Sequence, residues 1–205
     1  QEEVRDPSRV AEVLTRVIAQ AKRLSAPAQL NIPRDMWTQI VDIAIPDPIE
    51  FERSPGGENS ISSAAALLSD AKSPVILNGA GVVLSEGGIA ASQALAERLD
   101  APVCVGYQHN DAFPGGHPLF AGPLGYNGSK AGMELIKGAD VVLALGKRLN
   151  PFSTLPGYGM DYWPADAKII QVDINPDRIG LTKKVSVGIV GDAAKVANGI
   201  LGQLS

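Results

Sequence analysis

From residue 58 to residue 205, short apolar runs alternate with stretches in which apolar residues return every third or fourth position. The runs PVILNG (74–79), PVCVG (102–106), DVVLALG (140–146), KIIQVDIN (168–175) and VSVGIV (185–190) show little two-residue alternation, the pattern of strands covered on both faces. Helices are predicted between them. One is capped near Asn59 or Ser60 and places Ile61, Ala64, Ala65 and Leu68 on one face; a second runs from about Ser85 to Leu99; a third lies around Ala131 to Lys137. The last is capped by Asp192 and turns Val196, Ala197, Ile200, Leu201 and Leu204 inward. This order predicts a doubly wound α/β domain with a mainly parallel sheet over 58–205. Ligands of such sheets sit beyond the carboxyl ends of the strands.

The amino-terminal part follows another pattern. Asp6 and Pro7 can open a helix on which Val10, Val13, Leu14, Val17, Ile18 and Ala21 share one face. A short strand, AQLNIP (28–33), follows it. One helix and one strand cannot bury both their faces, so 1–35 reads as the tail of another domain. Between 36 and 57 the periodicity fails among Pro46, Pro48, Pro55, Gly56 and Gly57, which predicts an interdomain linker. Two loops, 107–130 and 147–166, are longer than ordinary connections and are expected to be functional or pressed against a partner. The second carries Phe152, Tyr158, Tyr162 and Trp163, a cluster expected to be buried, either in this chain or only in the complete assembly.

Composition narrows the classes. A chain of 205 residues with 45% apolar side chains can bury at least one full core. A net charge of −4 and the absence of a basic cluster argue against a nucleic-acid surface. The single Cys104, inside an apolar run, gives no disulfide framework and reads as a core residue of an intracellular, cytoplasmic protein. No apolar stretch approaches the roughly 18 to 20 residues that cross a bilayer. The opening QEEVRDPSR has neither an initiator Met nor a signal peptide's apolar core, and sequence is expected to be missing upstream.

Candidate chemistry concentrates at strand ends. Gly79-Ala80-Gly81 follows the strand at 74–79, but a dinucleotide fingerprint would place a third glycine at Leu84 and an acid at the end of the next strand. Asp100 precedes that strand instead. Two readings of Gly79 and Gly81 remain: a turn that lets a ligand approach, or a tight corner. Asp173, at the end of KIIQVD, can receive ribose hydroxyls or cap the turn at Asn175-Pro176. Lys147 and Arg148 can meet a phosphate or a carboxylate, or form a solvated pair. His109 and His117 flank Asp111 without further ligands, so no metal site is assigned. GPLGYNGSK (122–130) has Ser129 before Lys130, the wrong order for a phosphate-binding loop. No triad, nucleophile elbow or catalytic carboxylate pair emerges, and no catalytic residue is assigned.

LNIPRDMW (30–37), PVILNGAGV (74–82), GADVVLALGKRLN (138–150), KIIQVDINPDRIG (168–180) and VGIVGDAAKV (187–196) occur in one order along the chain. Together they resemble the large thiamine diphosphate-dependent enzymes of the acetolactate synthase type. The resemblance covers essentially the whole chain: 1–35 as the end of the pyrimidine-binding domain and 58–205 as the central domain. Residues 106–136 and 150–164 are most similar to the branch that releases sulfite from 2-sulfoacetaldehyde and passes an acetyl group to phosphate. The resemblance implies thiamine diphosphate and Mg²⁺ in the full-length parent, bound by pyrimidine- and diphosphate-binding domains that would be this segment's partners, and a homo-oligomer. The family's activating Glu and its Gly-Asp-Gly motif lie outside this sequence, since Gly191-Asp192 is followed by Ala193. Relatives hold FAD or ADP along the carboxyl edge of the central sheet, and the matching positions are Gly79, Gly81, Lys147, Arg148 and Asp173. This branch is not expected to require flavin, so the crevice is expected to be more structural than catalytic. The alternative is an adenine-nucleotide module, for FAD, ADP or coenzyme A, of an acetolactate synthase or oxalyl-CoA decarboxylase relative.

Overall fold

The computed structural model describes residues 1–205, and contacts separate Gln1–Arg53 from Ser54–Ser205. In the first unit, strand β1 (Glu2–Glu3) precedes a 3-10 turn at Pro7–Arg9, which Asp6 caps by accepting a hydrogen bond from the Ser8 N–H at 2.9 Å. Helix α1 (Val10–Leu24) continues from that turn, and its Val13 and Val17 pack with Val4 in a small core. β2 (Leu30–Asn31) pairs in parallel with β1. The strand predicted over 28–33 is therefore shorter, and it has a partner the sequence pattern missed, because two glutamates give no strand signal. Leu14 and Ile18, on the predicted buried face of α1, are 42% and 47% exposed. They line a groove with Ile43, Ile45, Pro46 and Ile49. No helix or strand forms between 39 and 57.

The second unit begins with an anchor. The Ser54 carbonyl accepts from the Asp192 N–H at 2.8 Å, and Gly56, at φ +92°, leaves no room for a side chain between Ile61, Ile189 and Val196. Residues 54–56, inside the stretch predicted as linker, thus pack into this unit. Helix α2 (Glu58–Ser69) leads into β3 (Pro74–Asn78), and a short helix α3 (Ala80–Val83) and α4 (Gly88–Leu99) lead to β4 (Val103–Gly106). β5 (Phe120–Leu124), α5 (Lys130–Lys137), β6 (Val141–Leu145), β7 (Lys168–Asp173), β8 (Val187–Val190) and α6 (Ala193–Leu201) complete the chain. All six strands are parallel, in the order β5-β4-β3-β6-β7-β8. Counted within the unit this is 3-2-1-4-5-6, the doubly wound order, with its topological switch between β3 and β6.

The strands' two-residue period divides the core. Ile76, Val103, Val105, Leu143, Leu145, Ile170 and Val172 meet residues of α2, α4 and α6 on one face. Val75, Leu77, Cys104, Val142, Ala144 and Ile169 meet Met133 and Ile136 of α5 on the other. Leu149 and Tyr162 join that second cluster. The loop 147–166 therefore covers the face where a crossover helix between β6 and β7 would otherwise lie, and its length is explained by packing. Of its aromatics only Tyr162 is fully buried within this chain; Phe152 and Tyr158 are 61% and 64% exposed here, which leaves the second form of the expectation, burial in the complete assembly.

β5 lies inside the segment predicted as one long loop. Gly122, at φ +92°, and Pro123 hide it from a strand pattern. An edge strand tolerates a residue without an N–H, and the pairing with β4 shifts register between Val103 and Cys104. No helix is long and apolar enough to cross a membrane.

Candidate functional site

The turns after β3 and β6 meet at the switch point. Gly79 N–H donates to the Leu145 carbonyl at 3.0 Å, Gly81 N–H to the Gly146 carbonyl at 3.0 Å, and Val82 N–H to the Gly79 carbonyl at 3.1 Å. A Cβ on Gly81 would stand 2.6 Å from Gly146 Cα, and one on Gly79 would strike the Gly146 carbonyl oxygen. Gly146 itself takes φ +57°, where side chains are rare. The bare faces of Gly79 and Gly81 are thus turned toward a neighbouring strand-end turn, and the N–H groups of residues 79, 81 and 82 are spent on the protein's own carbonyls.

Lys147 follows that turn and folds inward. It is 6% exposed, with its stem against Gly79 (Cδ 2.7 Å from a Cβ built there) and Nζ where a Cβ on Gly106 would stand. In strand order the side chain therefore runs from the end of β6 past β3 to β4. No carboxylate pairs with it. Burial, and secondarily the Arg148 charge, lower its pKa from an ordinary 10.5 to about 8. Arg148 beside it is exposed. Leu149, at φ +54° and fully buried, and the Thr182 hydroxyl, which donates to the Leu149 carbonyl at 2.6 Å, fix this alternation of in and out.

At the end of β7, Asp173 is buried, and burial raises its pKa against the opposing Asn175 N–H and nearby arginines. Its Oδ1 accepts from the Asn175 N–H at 2.9 Å, so the turn-capping role is filled. Gln171 escaped the sequence reading. Its buried carboxamide donates to the carbonyls of Lys147 and Arg178, both at 3.1 Å, and accepts from the Gly180 N–H at 2.8 Å. A lone glutamine within an apolar strand was the available signal, since a buried amide must find partners. Gly106 and Gly146 were missed as well, although each directly follows or ends an apolar run.

The remaining candidates have structural occupations. Asn78 donates to the Ser92 hydroxyl and the Ala112 carbonyl at 2.8 and 2.9 Å, tying the loop 107–119 to the end of β3. His117 Nε2 lies 3.1 Å from Glu97 Oε1, while His109 lies 3.8 Å from Asp111. Burial pushes the Cys104 thiol up to about 12. Ser129 caps α5 by accepting from the Gly132 N–H at 3.0 Å. Asp192 caps α6, accepts a short hydrogen bond from the Ser85 hydroxyl, and is thereby committed.

No group of three or more His, Cys, Asp or Glu side chains converges as a metal site requires. With Asp192 engaged in its cap, the residues here do not fit thiamine diphosphate and its metal.

The second unit is thus a doubly wound α/β domain with a glycine turn at its switch point. The family described as thiamine pyrophosphate enzyme, central domain, matches residues 61–200, and the chain belongs to it. It is 74% identical over 205 residues to a sulfoacetaldehyde acetyltransferase of Roseovarius nubinhibens, covering 100% of this chain and 34% of that protein. Against the acetolactate synthase large subunit of Corynebacterium glutamicum the identity is 32% over 174 residues, covering 83% of this chain and 27% of that protein. Among solved structures, the benzoylformate decarboxylase of Polynucleobacter necessarius superposes with a TM-score of 0.76 at 23% identity, covering 99% of this chain and 38% of that one, a likeness of fold. The chain thus spans about a third of the length of the curated relatives it matches.

Proposed function

We propose that this chain is the noncatalytic central part of a thiamine diphosphate-dependent acetyltransferase that converts 2-sulfoacetaldehyde and phosphate into acetyl phosphate and sulfite. The observation that carries this reading is 74% identity along the entire chain to a sulfoacetaldehyde acetyltransferase, against 32% to an acetolactate synthase. The match spans all 205 residues of the chain and so includes the loops 107–130 and 147–166, the kind of segment in which members of one fold differ most when their substrates differ.

In this reading residues 1–35 end the pyrimidine-binding domain, 36–57 are the linker, whose residues 54–56 are anchored on the central domain, and 58–205 are that central domain, in a cytoplasmic homo-oligomer. Thiamine diphosphate, held with Mg²⁺ by the other domains, supplies the carbanion chemistry. The central domain holds those domains in place, and the exposed Leu14, Ile18, Trp37, Ile40 and Ile45 become contacts with the rest of the protein.

A full-length protein carrying this chain, given thiamine diphosphate, Mg²⁺, phosphate and 2-sulfoacetaldehyde, is expected to release one sulfite per acetyl phosphate and to form no acetolactate from pyruvate. Acetolactate formation without sulfite release would assign it to the synthases instead.

A further inference from the structure

A sheet of order 3-2-1-4-5-6 ordinarily receives a dinucleotide or an adenosine diphosphate group across its switch point, where the backbone of a glycine turn approaches the diphosphate. Three observations oppose that use here. The N–H groups of Gly79, Gly81 and Val82 already donate to protein carbonyls. The open faces of Gly79 and Gly81 are occupied by the Gly146 turn. The remaining space over the ends of β3 and β4, left free by Gly79 and Gly106, is taken by the stem and ammonium of Lys147.

We propose that Lys147 is the specificity-determining residue of this edge: its side chain lies in the switch-point crevice and shuts out the diphosphate of FAD or ADP. This does not depend on which substrate the parent uses. The closure is built by backbone and side-chain volume together. Gly146 turns the chain so that residue 147 points inward, Gln171 holds the Lys147 carbonyl, and the absence of a Cβ at Gly106 makes room for Nζ. Arg148, exposed beside it, leaves the rim positive. The obstacle to an anionic nucleotide is therefore volume, because charge at this edge would attract one.

Calorimetry with ADP and with FAD on this chain tests the proposal, using the native protein, Lys147→Ala, and Lys147→Met, which keeps most of the stem and removes the charge. The native chain and Lys147→Met are expected to give no binding heat up to millimolar ligand, whereas Lys147→Ala gains at least about tenfold in affinity for one of the two. Lys147→Ser replaces Lys147→Ala should the latter lose its circular-dichroism signature of folding. Binding by the native chain would overturn the proposal. So would a short-side-chain variant that folds but gains nothing, or a Lys147→Met that gains as much as Lys147→Ala.

Discussion

Gly81→Ala is expected to lower the stability of the second unit by about 2–3 kcal/mol, the range for forcing an extra methyl into a packed interior. The new Cβ would meet Gly146 Cα at 2.6 Å and the Gly146 carbonyl oxygen and carbon at 3.0 and 3.2 Å. These are backbone atoms of the neighbouring turn, so no rotamer change relieves the overlap. Either the β3 and β6 turns separate, breaking the Gly81 to Gly146 hydrogen bond, or the sheet edge shifts. Gly115→Ala is the control, because nothing lies within 4 Å of its Cβ position, and a change within about 0.5 kcal/mol is expected. Urea unfolding of both variants followed by circular dichroism measures the difference. Equal midpoints would mean that the two turns are not in contact.

Lys147→Met is expected to stabilise the chain at pH 7 by about 1–3 kcal/mol, because it removes the cost of a buried, unpaired ammonium, the same cost that lowers the Lys147 pKa to about 8. The pH dependence carries the sign. Lys147 titrates at about 8 when folded and near 10.5 when unfolded. Between those values the unfolded chain holds a proton that the folded chain has released, so stability rises with pH. Below pH 8 both states are protonated and the full cost of the buried ammonium, on the order of 3 kcal/mol, is present. The native protein should therefore gain stability from pH 8 toward pH 10, and the variant should lack that contribution. Urea midpoints at pH 7 and pH 9.5 for the two proteins decide it, and parallel pH profiles would contradict a buried, unpaired Lys147.

Much of the second unit was legible because its central strands are buried on both faces and need unbroken apolar runs, as VVLAL at 141–145 illustrates. β5 was hidden by Gly122 and Pro123, residues that only an edge position permits, and edge position depends on topology. The two glutamates of β1 become a strand only because β2 offers a partner. At the candidate site the residues were readable and their directions were not. That Lys147 lies inward depends on Gly146 at φ +57° and on a glycine at the end of a different strand, Gly106. Likewise, the contact between the Gly81 and Gly146 turns joins segments that are neighbours only once β3 and β6 pair. Caps were legible for the opposite reason: Ser129 and Asp192 bond within three residues of themselves.

The reading of this chain as a scaffold is tested most directly by turnover. The purified chain, given thiamine diphosphate, Mg²⁺, phosphate and 2-sulfoacetaldehyde, is expected to form no acetyl phosphate above the protein-free background. Sustained acetyl phosphate formation by the purified chain would contradict it.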